Sequence, residues 1–193
     1  MTLRGLKVSD EIEKGSSIDI SILIAINTEA ILNRSYPVSK EKTRPTMIDH
    51  DHQFMICYDP RGKVTGQGSG DLVIPARRMD QVSFYATSLH NDSDNAVILY
   101  NLVHQSGDHV LDLKNLSSRT FQRKRAAEPN PDSSDGLPAV HVLRDFHLID
   151  TRVTGSGKED YLVYFALYTL DDDGETQSLR GYYGWDPTIK TLG

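Results

Sequence analysis

Asp49, His50, Asp51 and His52 occupy four consecutive positions, and each side chain can hold a proton or a cation. In extended chain, alternate residues face opposite ways, so His50 and His52 would share one face and Asp49 and Asp51 the other. A His-x-His pair on a strand chelates transition metals in jelly-roll enzymes when a carboxylate follows closely and a third histidine comes later. Here Gln53-Phe-Met-Ile-Cys57 offers no carboxylate, and His90, His104, His109, His141 and His147 are scattered along the chain. The cluster is incomplete as a catalytic centre, and the plainer expectation is a hydrogen-bonding role at the entrance of a strand. Calcium asks for six to eight oxygens instead. Asp49 and Asp51, with Asn91, Asp92, Asp94 and Asn95, would supply them if their two loops meet, although no loop follows the EF-hand spacing.

A second candidate lies near the C-terminus. Trp185 is the single tryptophan and stands in Gly181-Tyr-Tyr-Gly-Trp-Asp-Pro187. An aromatic ring beside a carboxylate, here Asp186, is what a sugar site uses: stacking on the ring face and hydrogen bonds to hydroxyls. The same composition also closes the edge of a sandwich. Gly66, Gly68 and Gly70 alternate, which marks either a bend where another backbone packs closely or the floor of a ligand groove. They form neither a phosphate loop nor a dinucleotide fingerprint. Gln67 stands where a nucleophile elbow needs glycine. Neither a Ser/His/Asp nor a Cys/His arrangement is evident. Cys57, the lone cysteine, sits between Ile56 and Tyr58, where buried packing is the expected role.

Composition excludes further classes. The chain of 193 residues carries a formal charge of −6, which disfavours a nucleic-acid surface, since phosphates call for a concentrated basic face. The basic run of Arg119, Arg123, Lys124 and Arg125 reads as a solvated strand edge. The apolar run Ile20 to Ile26 falls far short of the roughly 20 residues that span a bilayer. The N-terminal residues lack the apolar region of a secretory signal. A single cysteine suits a reducing compartment. These features predict a cytoplasmic protein that neither inserts into membranes nor binds nucleic acid.

The elements that must position these candidates read as strands. Isoleucines at 18, 20, 22, 24 and 26 keep strict period two, so one face of that strand is β-branched and buried. Thr28 to Asn33 predicts a short helical turn capped by Thr28 and ended by Asn33. Further strands are expected over 53–58, 70–74, 81–89, 96–104, 110–113, 119–125, 140–151, 161–170 and 179–183, with turn residues between them. Tyr161 to Leu170 is apolar on both faces and predicts a central strand. Residues 127–138 hold Pro129, Pro131 and Pro138 and predict a long exposed loop. The expected fold is all-β: an antiparallel, jelly-roll-like β-sandwich forming a single domain over 18–193, behind a flexible extension over 1–17.

Taken in order, IDISILIAINTEAILN (Ile18 to Asn33), Tyr36-Pro37, PTMIDHDHQFMICYDPRG (Pro45 to Gly62), GQGSGDL, QVSFYATSLHNDSDNAVILYNL and GYYGWDP resemble the bacterial PixA/AidA-type inclusion body protein family. The resemblance spans about Ile18 to Pro187, and DHDHQFM is its most specific part. It implies a small protein without catalytic activity, of a kind found in cytoplasmic crystalline inclusions or switched on by quorum sensing in host-associated bacteria. It transfers no catalytic residues. Four methionines in 193 residues argue against the sulfur-storage role linked to methionine-rich members. The expectation is a non-enzymatic protein that works by self-association, as a homo-oligomer, or by host interaction. The alternative is a lectin-like module binding glycans, with calcium as its only cofactor. Its site would draw on Asp49, His50, Asp51, His52, Asn91, Asp92, Asp94, Asn95, Trp185 and Asp186.

Overall fold

The computed structural model describes residues 17–191. The extension expected over 1–17 therefore lies outside the described residues except for Ser17. The elements in chain order are β1 (Asp19–Ile26), α1 (Thr28–Asn33), β2 (Thr46–Met47), a 3-10 turn (His50–His52), β3 (Gln53–Cys57), β4 (Leu72–Ile74), β5 (Gln81–Ser88), β6 (Asn95–Gly107), β7 (Ser117–Glu128), β8 (Val140–Arg152), β9 (Gly157–Leu170), β10 (Gln177–Trp185) and β11 (Thr188–Thr191).

The strands form a β-sandwich of two open sheets. One runs β3-β1-β5-β8-β7. The other runs β2-β10-β9-β11-β4, with β6 along the opposite side of β9. The isoleucine alternation in β1 behaves as its period requires: Ile20, Ile22, Ile24 and Ile26 are buried. They face a second layer supplied by Tyr161, Val163, Phe165 and Leu167 of β9, and one hydrophobic cluster fills the space between the sheets. Phe84 of β5 and Tyr161 of β9 meet across it, with ring centroids 6.2 Å apart. β9 is central, as its two apolar faces predict, because strands flank both of its edges.

Three features differ from the sequence reading. The sheets are mixed rather than purely antiparallel: β1 with β5, β10 with β2 and β11 with β4 are parallel. Residues 110–113 form no strand, although Val110 and Leu111 are buried, because their amides bond to the Glu159 carboxylate instead of a ladder. The helix cap is Asn27, whose side chain accepts from the Ala30 amide at 3.1 Å, so Thr28 already lies inside the helix.

The sheet edges are treated unequally. Along β3, residues 66–69 fold back onto the strand: Met55 N donates to Ser69 O at 2.9 Å, and Gly68 N donates to Met55 O at 2.8 Å. The Gln67 amide continues this as a surrogate strand, accepting from Cys57 N at 2.8 Å and donating to Cys57 O. The alternating glycines thus serve the bend, not a groove. At the other edge, β7 pairs only with β8, and most β7 residues are exposed. β7 continues through Glu128, so the proline-rich connection spans 129–139 and closes a long hairpin.

Candidate functional site

The Asp49–His52 segment meets three neighbours: the end of α1, the start of β3 and the C-terminal end of β10. The Asp49 side chain accepts from the Asp51 amide at 3.4 Å and caps the 3-10 turn. The segment is therefore a turn, not extended chain, and the expected split of two histidines on one face and two aspartates on the other does not form. His50 reaches outward to Asp186, Nε2 to Oδ1 at 2.8 Å. His52 turns back, its Nε2 lying 4.0 Å from Asp49 Oδ1, too far for a hydrogen bond and with no other partner among the described residues.

The aspartates are already engaged. Arg34, just past α1, donates to Asp49 and also to Asp51, the latter at 3.4 Å. The Tyr36 hydroxyl donates to Asp49 Oδ2 at 2.7 Å. That Tyr36 bond holds the Asp49 pKa below the ordinary carboxylate value; burial opposes it, and the Asp51 amide and the charges of Arg34 and His52 add to the lowering. The segment is a network in which Arg34 is shared by Asp49 and Asp51 and His50 reaches Asp186, and its chemistry is to tie β3, α1 and β10 together.

The other sequence candidates fall elsewhere. Asn91–Asn95 lies at the same end of the first sheet, since Ile26 is in register with both Ser88 and Gln53. Its carboxylates do not join the Asp49 segment. Asp92 turns inward to accept from Ser88 N at 2.8 Å and Val97 N at 3.1 Å, and Asp94 O accepts from Leu170 N. Among the described residues, the acid and imidazole groups that gather here are Asp49, Asp51 and His52, without Asp92 or Asp94. Trp185 is 0% exposed and packs edge-on against Phe165, 6.0 Å between ring centroids, so its ring offers no face to a sugar. Asp186 joins His50 at the surface instead. Cys57 is buried, and burial, with the charge of Asp59, pushes its thiol up to about 11, so it stays protonated at neutral pH.

The structure also assembles a group absent from the sequence reading. His104, His109 and Glu159 each bring a donor atom within 4.8 Å of the others. One signal was present in the sequence: Glu159 is in phase with Tyr161, Val163 and Phe165 on the buried face of β9. A carboxylate at such a position must find partners inside the protein.

The comparisons with known proteins agree with this architecture. A family model described as PixA, inclusion body protein, matches residues 18–191. The crystal structure of an inclusion body protein (PixA) from Burkholderia cenocepacia J2315 is similar over 93% of this chain and 99% of that one, at 24% identity and a TM-score of 0.77. Among curated proteins there is no match.

Proposed function

This chain belongs to the PixA inclusion body protein family, and from that premise we propose that it is a non-catalytic cytoplasmic protein that works by self-association. The observation that carries the proposal is the β7–β8 hairpin. Its outer half is exposed on both faces, while the edge at the opposite end of the same sheet is covered. A two-stranded ribbon is marginal by itself in water. This one leans on a short ladder of its own: Phe121 stacks on Phe146 at 5.5 Å, with Arg123 and Arg144 over the two rings. Val142 and Leu143 are exposed on β8, and Leu137 at the hairpin's tip. A partner would bury these residues.

Charge suggests how copies would meet. β7 carries Arg119, Arg123, Lys124 and Arg125 against Glu128 alone, in a chain of net charge −6. Basic residues on an edge oppose pairing of two identical edges. They favour docking of the hairpin on the acidic body of the next copy. Such a head-to-tail contact does not have to close, and it propagates into ordered arrays. Size-exclusion chromatography with light scattering tests this across concentration and salt. The expected result is a mass that rises with concentration and falls as salt screens the contact. The triple substitution Arg123→Glu, Lys124→Glu and Arg125→Glu should abolish the rise. A wild-type protein that stays monomeric at high concentration overturns the proposal.

A carbohydrate-binding role is the second reading, and one observation favours it. A cavity of about 390 Å3 is lined by Tyr85, Asn91, Asp92, Arg144, Asp145 and Phe146, among others. That set mixes aromatic faces with groups able to bond hydroxyls, and it contains two of the loop residues singled out from the sequence. A glycan array with and without a chelator separates the readings; absence of binding in both conditions removes this one.

A further inference from the structure

His104 closes the regular part of β6, opposite Tyr161 of β9, and Gln105 then forms a bulge before pairing resumes at Ser106 with Asp160. Bulges re-aim the neighbouring side chains. The chain turns at once over the start of β9. Gly107 (φ +85°) lies so close to that strand that a Cβ would stand 2.4 Å from Lys158 O, and a Cβ on Gly157 (φ +126°) would stand 2.1 Å from Asp108 Oδ2. Two hydrogen bonds fasten the turn: Asp108 N donates to Lys158 O at 2.8 Å, and Lys158 N donates to Asp108 Oδ2 at 3.0 Å. The result lays the His109 ring on the His104 ring, with centroids 4.1 Å apart and planes inclined by 36°.

Glu159 sits beneath this pair and is fully buried. Its Oε2 accepts from Val110 N at 2.9 Å and Leu111 N at 2.7 Å, and its Oε1 lies 2.7 Å from His104 Nδ1. With Oε1 as the acceptor from Nδ1–H, the lone pair of His104 is on Nε2. Carboxylates orient metal-binding histidines in this way. No hydrogen bond or ion pair engages the His109 ring among the described residues. Both imidazoles line an open cavity of about 530 Å3, together with Leu111, Asp112, Lys114 and Thr154.

The geometry points to a divalent transition-metal site: His104 and His109 are the ligands, Glu159 is the positioning residue, and the remaining coordination positions open to the cavity. Imidazole pairs select zinc, copper or nickel, whereas calcium and magnesium take oxygen ligands. The site lies on β6, the turn that follows it and β9, apart from the β7–β8 hairpin, so it stands or falls independently of self-association.

Calorimetric titration of the full, tag-free chain with Zn2+ tests the proposal, with Co2+ absorption as a reporter of imidazole ligation. Wild type should bind one equivalent, with no competition from Ca2+. Glu159→Gln should weaken binding roughly 10–100-fold, the usual effect of losing an orienting partner, and His104→Ala and His109→Ala should weaken it further. His52→Ala at the other histidine cluster should change nothing. His109 is exposed, so its substitution keeps the test decisive even where Glu159→Gln fails to fold. The proposal is overturned by absence of stoichiometric Zn2+ binding, by unchanged affinity in His109→Ala, or by loss of binding in His52→Ala instead.

Discussion

Two groups of acids and histidines stand on this sandwich, and they differ in what occupies the carboxylates. At the entrance to β3, Asp49 and Asp51 face solvent and are bound by Arg34 and Tyr36, so their charge is spent on joining elements. At the start of β9, Glu159 is buried and bound by two amides and one imidazole, so its charge is spent on aiming His104. The first group is dense in sequence and its carboxylates are already bound, although His52 Nε2 has no partner among the described residues. The second is dispersed over 56 positions from His104 to Glu159 and chemically open. Proximity along the chain is therefore a poor guide to a site; what counts is whether each polar atom is already satisfied.

A third group sharpens the contrast, because it repeats the first in buried form. Arg61 bonds Asp59, Nε to Oδ1 at 3.2 Å, and Asp80, Nη1 to Oδ1 at 3.2 Å. The Arg61 side chain is 9% exposed, against 45% for Arg34 between Asp49 and Asp51. The two Arg/Asp/Asp sets have the same composition and opposite solvation. Arg61→Ala strands two buried carboxylates and should destabilise by roughly 3–5 kcal/mol. Arg34→Ala should leave the denaturation midpoint close to wild type, because exposed pairs contribute little. Urea unfolding followed by circular dichroism checks both. Equal losses in the two variants would break the distinction between closed surface network and buried clamp.

The next effect belongs to the turn that carries His109. Gly157→Ala places a methyl group against the Asp108 carboxylate at a φ that alanine rarely adopts, and should destabilise by about 1–3 kcal/mol. It should also weaken Zn2+ binding by displacing His109, which separates it from a substitution that harms stability alone. Gly174→Ala is the control: its φ of +71° is strained too, but no atom lies within 4 Å of the added Cβ, and it is remote from the histidines in sequence. Its Zn2+ affinity should match wild type.

The legible and illegible parts of the chain divide along physical lines. β1 and β9 were legible because their periodicity is local and their buried faces carry only hydrophobic side chains, Glu159 excepted. A sugar site at Trp185 needs an exposed ring, whereas Gly181, Tyr183 and Trp185 alternate as an inward face of β10, the edge-closing alternative of the two that the composition allows. The two faces of the Asp49 segment follow only if the chain is extended there, and spacing says nothing of a side chain that caps its own turn. The parallel pairs, β1 with β5 and β11 with β4, join segments far apart and leave no local trace. His104 meets His109 only because a bulge and two tight glycine contacts fold the chain back on itself, and Glu159 arrives from another strand.

The smallest predicted effect discriminates the two Arg/Asp/Asp sets by pH. Asp80 is raised by burial, but its bonds from Arg61, the Arg77 amide and the Ile18 amide outweigh burial and hold its pKa below the ordinary value. A carboxylate with a folded pKa below its unfolded one binds fewer protons when folded. Its contribution is fully present above the unfolded value of about 3.9 and is lost as pH falls through the folded value. Stability should therefore be insensitive to Asp80 titration at neutral pH and decline on the acid side of about pH 4. Asp80→Asn should be less stable than wild type at pH 7 and show a shallower acid decline. Asp49 is also lowered, through the Tyr36 bond first, but its side chain is 40% exposed, and solvent screens its partners. Asp49→Asn should follow the wild-type acid profile closely. An Asp49→Asn profile flattened as much as that of Asp80→Asn would mean that the surface network carries folding energy after all, and the entrance to β3 would have to be counted with the clamp rather than against it.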